Sequence, residues 1–127
     1  MNDELPLWLG LALLVVFLLL PASAKADPWD TGDKTLGFIA AALVITDWGQ
    51  TRYVAKHPEA FMEKNAILGD HPRVGQVDRY FVTLLVGGYL FADWLSSHNR
   101  KGFLAGISIV ELKVTQHNKS IGVKVDF

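Results

Sequence analysis

Two carboxyl groups stand out because each lies inside an otherwise apolar segment. Asp47 follows the run of residues 36–46, and Glu111 lies within residues 102–114. An ionisable group in an apolar, membrane-type segment is costly and therefore marks a functional hypothesis. On a helix, Gln50 shares the face of Asp47, and Asn118 shares the face of Glu111. The spacing predicts two helices that present matching polar faces.

The turns of the chain are expected to bring further polar residues to the same end of the molecule. The candidate catalytic or ion-binding residues are Asp47, Glu63, Glu111 and His117. The surrounding polar cluster is predicted to contain Gln50, Thr51, Arg52, Asn65, Asp78 and Asn118. The alternative is structural: Asp47 and Glu111 form ion pairs that hold the helices together, with Arg52, Arg79 or Lys113 as the cation.

Composition excludes several other kinds of site. The chain has no cysteine, so it has neither disulfides nor a thiolate nucleophile. The four histidines show no HExxH spacing, and we predict neither a metal nor a cofactor. The formal net charge is −1, which does not favour nucleic acid as a partner.

The N-terminal segment is typical of export. Residues 5–24 are almost purely apolar, and small residues around Lys25 fit a signal peptide cleaved after Ala26. Asp3 and Glu4 precede the run, where a signal peptide normally carries basic residues. The run is also long enough to span a bilayer, so a retained anchor is the alternative. Residues 1–26 are thus a signal peptide or anchor, and residues 27–127 are one domain.

Three further apolar blocks, residues 36–46, 80–95 and 102–114, predict an all-α protein. We expect a small helical membrane bundle with three spans after the signal peptide, or four if the anchor is retained. Aromatic residues near the block ends, such as Trp48 and Trp94, are typical of membrane interfaces. The expected partners are the lipid bilayer and either a second copy of the chain or another membrane protein.

Residues 107–127 have two interpretations. The favoured one is a helix to about Asn118 followed by a short extended tail. The alternative is a β-hairpin, because apolar and polar residues alternate before and after a turn near Gln116.

The distribution of basic residues predicts the orientation. Lys34, Arg100 and Lys101 lie on one side of the predicted spans, and more lysines and arginines lie on the other. Since cytoplasmic loops carry the excess of positive charge, we predict a multi-pass protein of the bacterial inner membrane with a cytoplasmic C-terminus.

Residues 47–51 read DWGQT and residues 63–69 read EKNAILG. This DxxQT and ExNxIL pattern resembles a family of small integral membrane proteins of unknown function from bacteria and phages. Ala66 departs from the family pattern, in which a proline often follows the asparagine. The resemblance implies a helical membrane fold with this polar face, and it implies no activity.

The leading functional interpretation is a non-enzymatic envelope protein with a structural or interaction role. One alternative is an intramembrane enzyme or ion-binding protein that uses the carboxylate and histidine cluster. A second is a holin-like or other lysis-related phage protein, which rests on architecture alone.

Overall fold

The computed structural model describes residues 26–127, which form three helices. Helix α1 is Thr31–Lys56, α2 is Val74–Trp94 and α3 is Ser97–Ser120. No strand occurs in this part of the chain, so the all-α prediction is confirmed. The hairpin alternative for residues 107–127 is wrong, because α3 continues through most of that segment. The predicted signal peptide or anchor lies almost entirely outside the described residues.

The finer prediction of three membrane spans is not supported. Within residues 26–127, each helix falls short of the combined length and apolarity that a membrane crossing needs. Each helix contains charged residues next to or within its apolar run: Asp47 follows the run of α1, Asp78 precedes that of α2, and Glu111 lies within that of α3.

Helix α1 is the element against which the other two pack. Both α2 and α3 contact it extensively, whereas α2 and α3 barely touch each other. One small core joins Ala40 of α1, Ala92 of α2 and Leu104 of α3. A second core, nearer the end of α1, joins Val44 to α2. The bundle therefore has a central helix with two flanking helices.

The C-terminal tail returns to α1 after α3 ends. Gly122 adopts a φ of 90°, a left-handed conformation that glycine reaches at no steric cost, and the chain reverses there. The backbone N–H of Asp126 then donates to the carbonyl of Gly49 at 3.1 Å. A Cβ at Gly49 would lie 2.5 Å from Val125, so only glycine lets the tail approach this closely. The predicted extended tail is present and packs against α1.

Asp33 and Arg100 form an ion pair that is completely removed from solvent, with a separation of 2.8 Å. The remaining guanidinium N–H groups donate to backbone carbonyls of Asp27, Ala92 and Leu95 at 2.7–2.8 Å. Burial alone would raise the pKa of Asp33, but hydrogen bonds from the Asp30 backbone and from Arg100 lower it. One side chain thus joins the start of α1, the end of α2 and the first turn of α3.

We expect Arg100→Met to lower the Tm by about 10 °C or more. The methionine fills much of the space but removes the 2.8 Å contact of the buried Asp33 carboxylate and leaves it only the longer contact to Lys101 Nζ at 3.5 Å. Truncating one partner of a buried pair is strongly destabilising. Differential scanning calorimetry measures the change. The control is Arg79→Met, because Arg79 is exposed and, among residues 26–127, its side chain donates to Gly75 of its own helix. Equal effects of the two substitutions would contradict the assigned role of Arg100.

Candidate functional site

Asp47 and Glu111 meet where α1 and α3 pack together. Both side chains are partly buried, and the two carboxyl groups are hydrogen-bonded to each other. Two carboxyl groups can form such a bond only when one of them holds a proton, which it then donates to the other. The sequence-based prediction that the polar faces of these helices meet is therefore matched by the contact between Asp47 and Glu111.

Amide side chains and a threonine fix the position of the acid pair. Gln50 is buried and donates from Nε2 to the backbone carbonyl of Thr115 at 3.1 Å. Asn118 donates from Nδ2 to Gln50 Oε1 at 3.1 Å and to Asp47 Oδ1 at 3.3 Å. Thr51 also hydrogen-bonds to Asp47. These contacts bridge α1 and α3 and hold the Asp47 carboxyl in one orientation.

The loop between α1 and α2 closes another side of the site. Glu63 Oε1 accepts the backbone N–H of Asn65 at 2.9 Å, and Asn65 Oδ1 accepts that of Ile67 at the same distance. The Asn65 side chain also hydrogen-bonds to Tyr80 of α2. Burial, followed by the negative charges of the site, raises the pKa of the Tyr80 hydroxyl. Tyr80 therefore remains a neutral hydrogen-bonding group beside the acids.

Burial is the largest influence on both carboxyl groups of the pair. It raises the pKa of Asp47 to about 7, with further contributions from the nearby charges of Glu111 and Glu63. Burial also raises the pKa of Glu111, while the hydrogen bond from Asp47 acts in the opposite direction. Each group therefore keeps its proton to a higher pH than an exposed carboxyl group would. Within residues 26–127, Glu111 Oε2 is buried without a hydrogen-bond partner.

The other predicted residues lie elsewhere. Arg52 forms its ion pair with Asp78, which also accepts the indole N–H of Trp48 at 2.8 Å. The Arg52 hydrogen bond is the main reason that the pKa of Asp78 is lowered. This set joins α1 to α2, away from the acid pair. Among the described residues, Asp47 and Glu111 take part in no ion pair, so the predicted pairing with a cation is not what holds them.

The histidine of the predicted cluster is not part of the site. His117 is exposed in the last turn of α3, and its hydrogen bonds use its backbone carbonyl. In residues 26–127 there is no group of three or more histidine, aspartate or glutamate side chains arranged to hold a metal ion.

The sequence analysis did not include Tyr80, the first residue of the apolar block 80–95, among the site residues. The available signal was its position two residues after Asp78, near the start of a helix that faces α1. Its helical neighbours Val77 and Phe81 are completely buried, which places this stretch of α2 at the interface.

Over residues 26–127, the fold and the site define a three-helix protein with a partly buried pair of neighbouring carboxyl groups. Comparison with protein-family models, with curated proteins and with solved structures finds no match. The resemblance carried by the DxxQT and ExNxIL residues therefore stays a prediction.

We expect the free energy of unfolding to fall as the pH rises from 5 to 8, with Asp47 as a main cause. Its pKa in the folded protein lies above the value of 3.8 for an unperturbed aspartate, so the unfolded state releases the proton first. The contribution of Asp47 to stability is therefore fully present below pH 3.8 and is lost progressively as the pH rises to about 7. Asp47→Asn cannot ionise and still donates to Glu111. It should reduce this loss by on the order of 1–3 kcal/mol.

Urea unfolding at pH 5 and pH 8 measures this difference. Glu59→Gln, which removes an exposed carboxyl from the loop, is the control and should follow the wild type. If Asp47→Asn loses as much stability between the two pH values as the wild type, then Asp47 is not the titrating group.

Proposed function

We propose that this chain is a non-enzymatic protein of the bacterial envelope that acts by contact, with its apolar outer surface against the lipid bilayer. The observation that carries the proposal is the exposure of large apolar side chains on all three helices. Phe38 is 76% exposed on α1, Leu90 is 60% exposed on α2 and Ile109 is 59% exposed on α3. Large exposed apolar patches mark membrane or protein interaction sites.

The proposal agrees with the chemistry of the site. The hydroxyl groups beside the acid pair, those of Thr51 and Tyr80, take part in hydrogen bonds within the site. Its amide and hydroxyl neighbours tie α1 to α3. A structural or interaction role needs no more than this.

Because the chain has no cysteine, a single introduced cysteine carries a fluorescent label at one known position. We expect an environment-sensitive nitrobenzoxadiazole label at Phe38→Cys, Leu90→Cys or Ile109→Cys to emit at shorter wavelength when phosphatidylglycerol vesicles are added. Labels at Glu59→Cys and Gln116→Cys, both exposed polar positions, are the controls and should emit as in water.

These labels report the environment of residues 26–127 whether or not the N-terminal apolar segment is retained. If the labels on the three helices stay in water when vesicles are present, the proposal is wrong. If their emission has already shifted before vesicles are added, another copy of the chain covers the surface, and lipid contact is again wrong.

The second candidate is an ion-binding protein, and the observation that favours it is the neighbouring pair of carboxyl groups in which Glu111 Oε2 is buried without a hydrogen-bond partner among the described residues. A monovalent cation could take the place of a proton there at higher pH. Calorimetric titration with sodium chloride at pH 8, against choline chloride, would then show binding that Asp47→Asn and Glu111→Gln abolish without unfolding. Equal heats for both salts would leave the contact role as the better proposal.

A further inference from the structure

A long apolar groove runs between α2 and α3, with α1 as its floor. It forms because the two flanking helices pack mainly on α1 and only slightly on each other. The groove has a volume of about 680 Å³. Ala41 and Val44 lie on its floor, Leu85 and Gly88 on one wall, and Gly106 and Ile107 on the other. Concave, mostly apolar spaces of this size are typical of ligand sites.

The walls leave room for a ligand. A Cβ built at Gly88 or at Gly106 would meet no atom within 4 Å, so open space stands above both glycines. Each exposes a strip of helix backbone on which an apolar chain can lie.

The two ends of the groove differ in charge. Lys34 lines one end together with Trp29 and Tyr89, whose rings stack with centroids 5.8 Å apart. In residues 26–127 the Lys34 ammonium forms no ion pair. The carboxylate of Asp93 accepts the Trp29 indole N–H at 2.8 Å at this end, and Lys34 is the cation that lines the groove itself. Aromatic rings beside a lysine are the usual surroundings of a lipid head group. Glu111 of the acid pair lines the other end, where a second anion would be repelled.

We propose that the groove holds one acyl chain of an anionic phospholipid, with the phosphate at Lys34 and the chain extending over Ala41 towards Val44. The occupant is a bilayer lipid, so this inference rests on the proposed function. Charge complementarity selects the orientation: the cation and the aromatic rings receive the head group, and the carboxyl pair lies beyond the end of the acyl chain.

The test is native mass spectrometry of the full chain in a mild detergent, with dioleoyl phosphatidylglycerol as the probe. The wild type should retain one lipid. We expect Gly88→Leu and Gly106→Leu to weaken binding by about tenfold, since either leucine occupies the space of the acyl chain. Gly87→Leu is the matched control: it makes the same change at the adjacent residue of α2, outside the groove, where a Cβ also meets no atom.

The head-group contact has its own pair of variants. Lys34→Glu should reduce the preference for phosphatidylglycerol over phosphatidylcholine by about threefold or more, because an exposed charge contact contributes up to about 1 kcal/mol. Lys113→Glu makes the same change at an exposed lysine outside the groove and should keep the preference. Circular dichroism confirms that each variant retains its helices.

Several outcomes would overturn the proposal. Equal lipid binding by Gly88→Leu, Gly106→Leu and Gly87→Leu would place the lipid elsewhere. Retention of oleic acid but not of the phospholipid would make a free fatty acid the occupant. A lipid-free dimer that Gly106→Leu disrupts would make it a second copy. If the labels on the three helices report vesicle contact but no lipid is retained, only the groove proposal fails, and lipid contact stands.

Discussion

The buried pair of Asp33 and Arg100 is the constraint on which the arrangement of the helices depends. A buried charge is tolerated only when its hydrogen-bonding groups are fully used. Arg100 meets that condition through Asp33 and through carbonyls contributed by the segment before α1 and by the end of α2. Moving any of these backbone segments would leave a cation or an anion unsatisfied inside the protein. The pair therefore fixes the turn between α2 and α3 and the position of α1 against both.

The same pair sets the register between α1 and α3. Asp33, Ala40 and Asp47 recur every seven residues on α1. Asp33 contacts Arg100, Ala40 shares a core with Leu104, and Asp47 meets Glu111, so the two helices run parallel. The interface has a charged contact at one end and an acid pair at the other. The Asp33–Arg100 pair joins an anion to a cation, whereas Asp47 of the acid pair has a pKa of about 7.

Much of the fold could be predicted from local patterns. The three apolar blocks correspond to the three helices, and the seven-residue gap from Glu111 to Asn118 placed both on one face because it spans nearly two helical turns. The meeting of Asp47 and Glu111 could be expected from those polar faces. The spacing in α1 could not show that Arg52 pairs with Asp78 of α2 and not with the two acids.

Other features depend on tertiary structure and leave almost no local signal. Arg100 has the sequence surroundings of an exposed lysine or arginine beside a loop, and it was counted among the charges outside the membrane. Its burial arises from the carbonyls of a preceding helix and from Trp29, whose ring centroid lies 4.8 Å from the guanidinium carbon. His117 shows the opposite error. Its place next to Asn118 suggested a shared site, but adjacent residues of a helix point in different directions, and His117 is exposed to solvent.

The scarcity of contact between α2 and α3 has a consequence for substitutions. The two helices are joined through Leu95 and Ser96, and each packs against α1. Because both helices rest on α1, a substitution on α1 changes the surroundings of two helices at once, whereas a substitution on α2 or α3 changes mainly one interface.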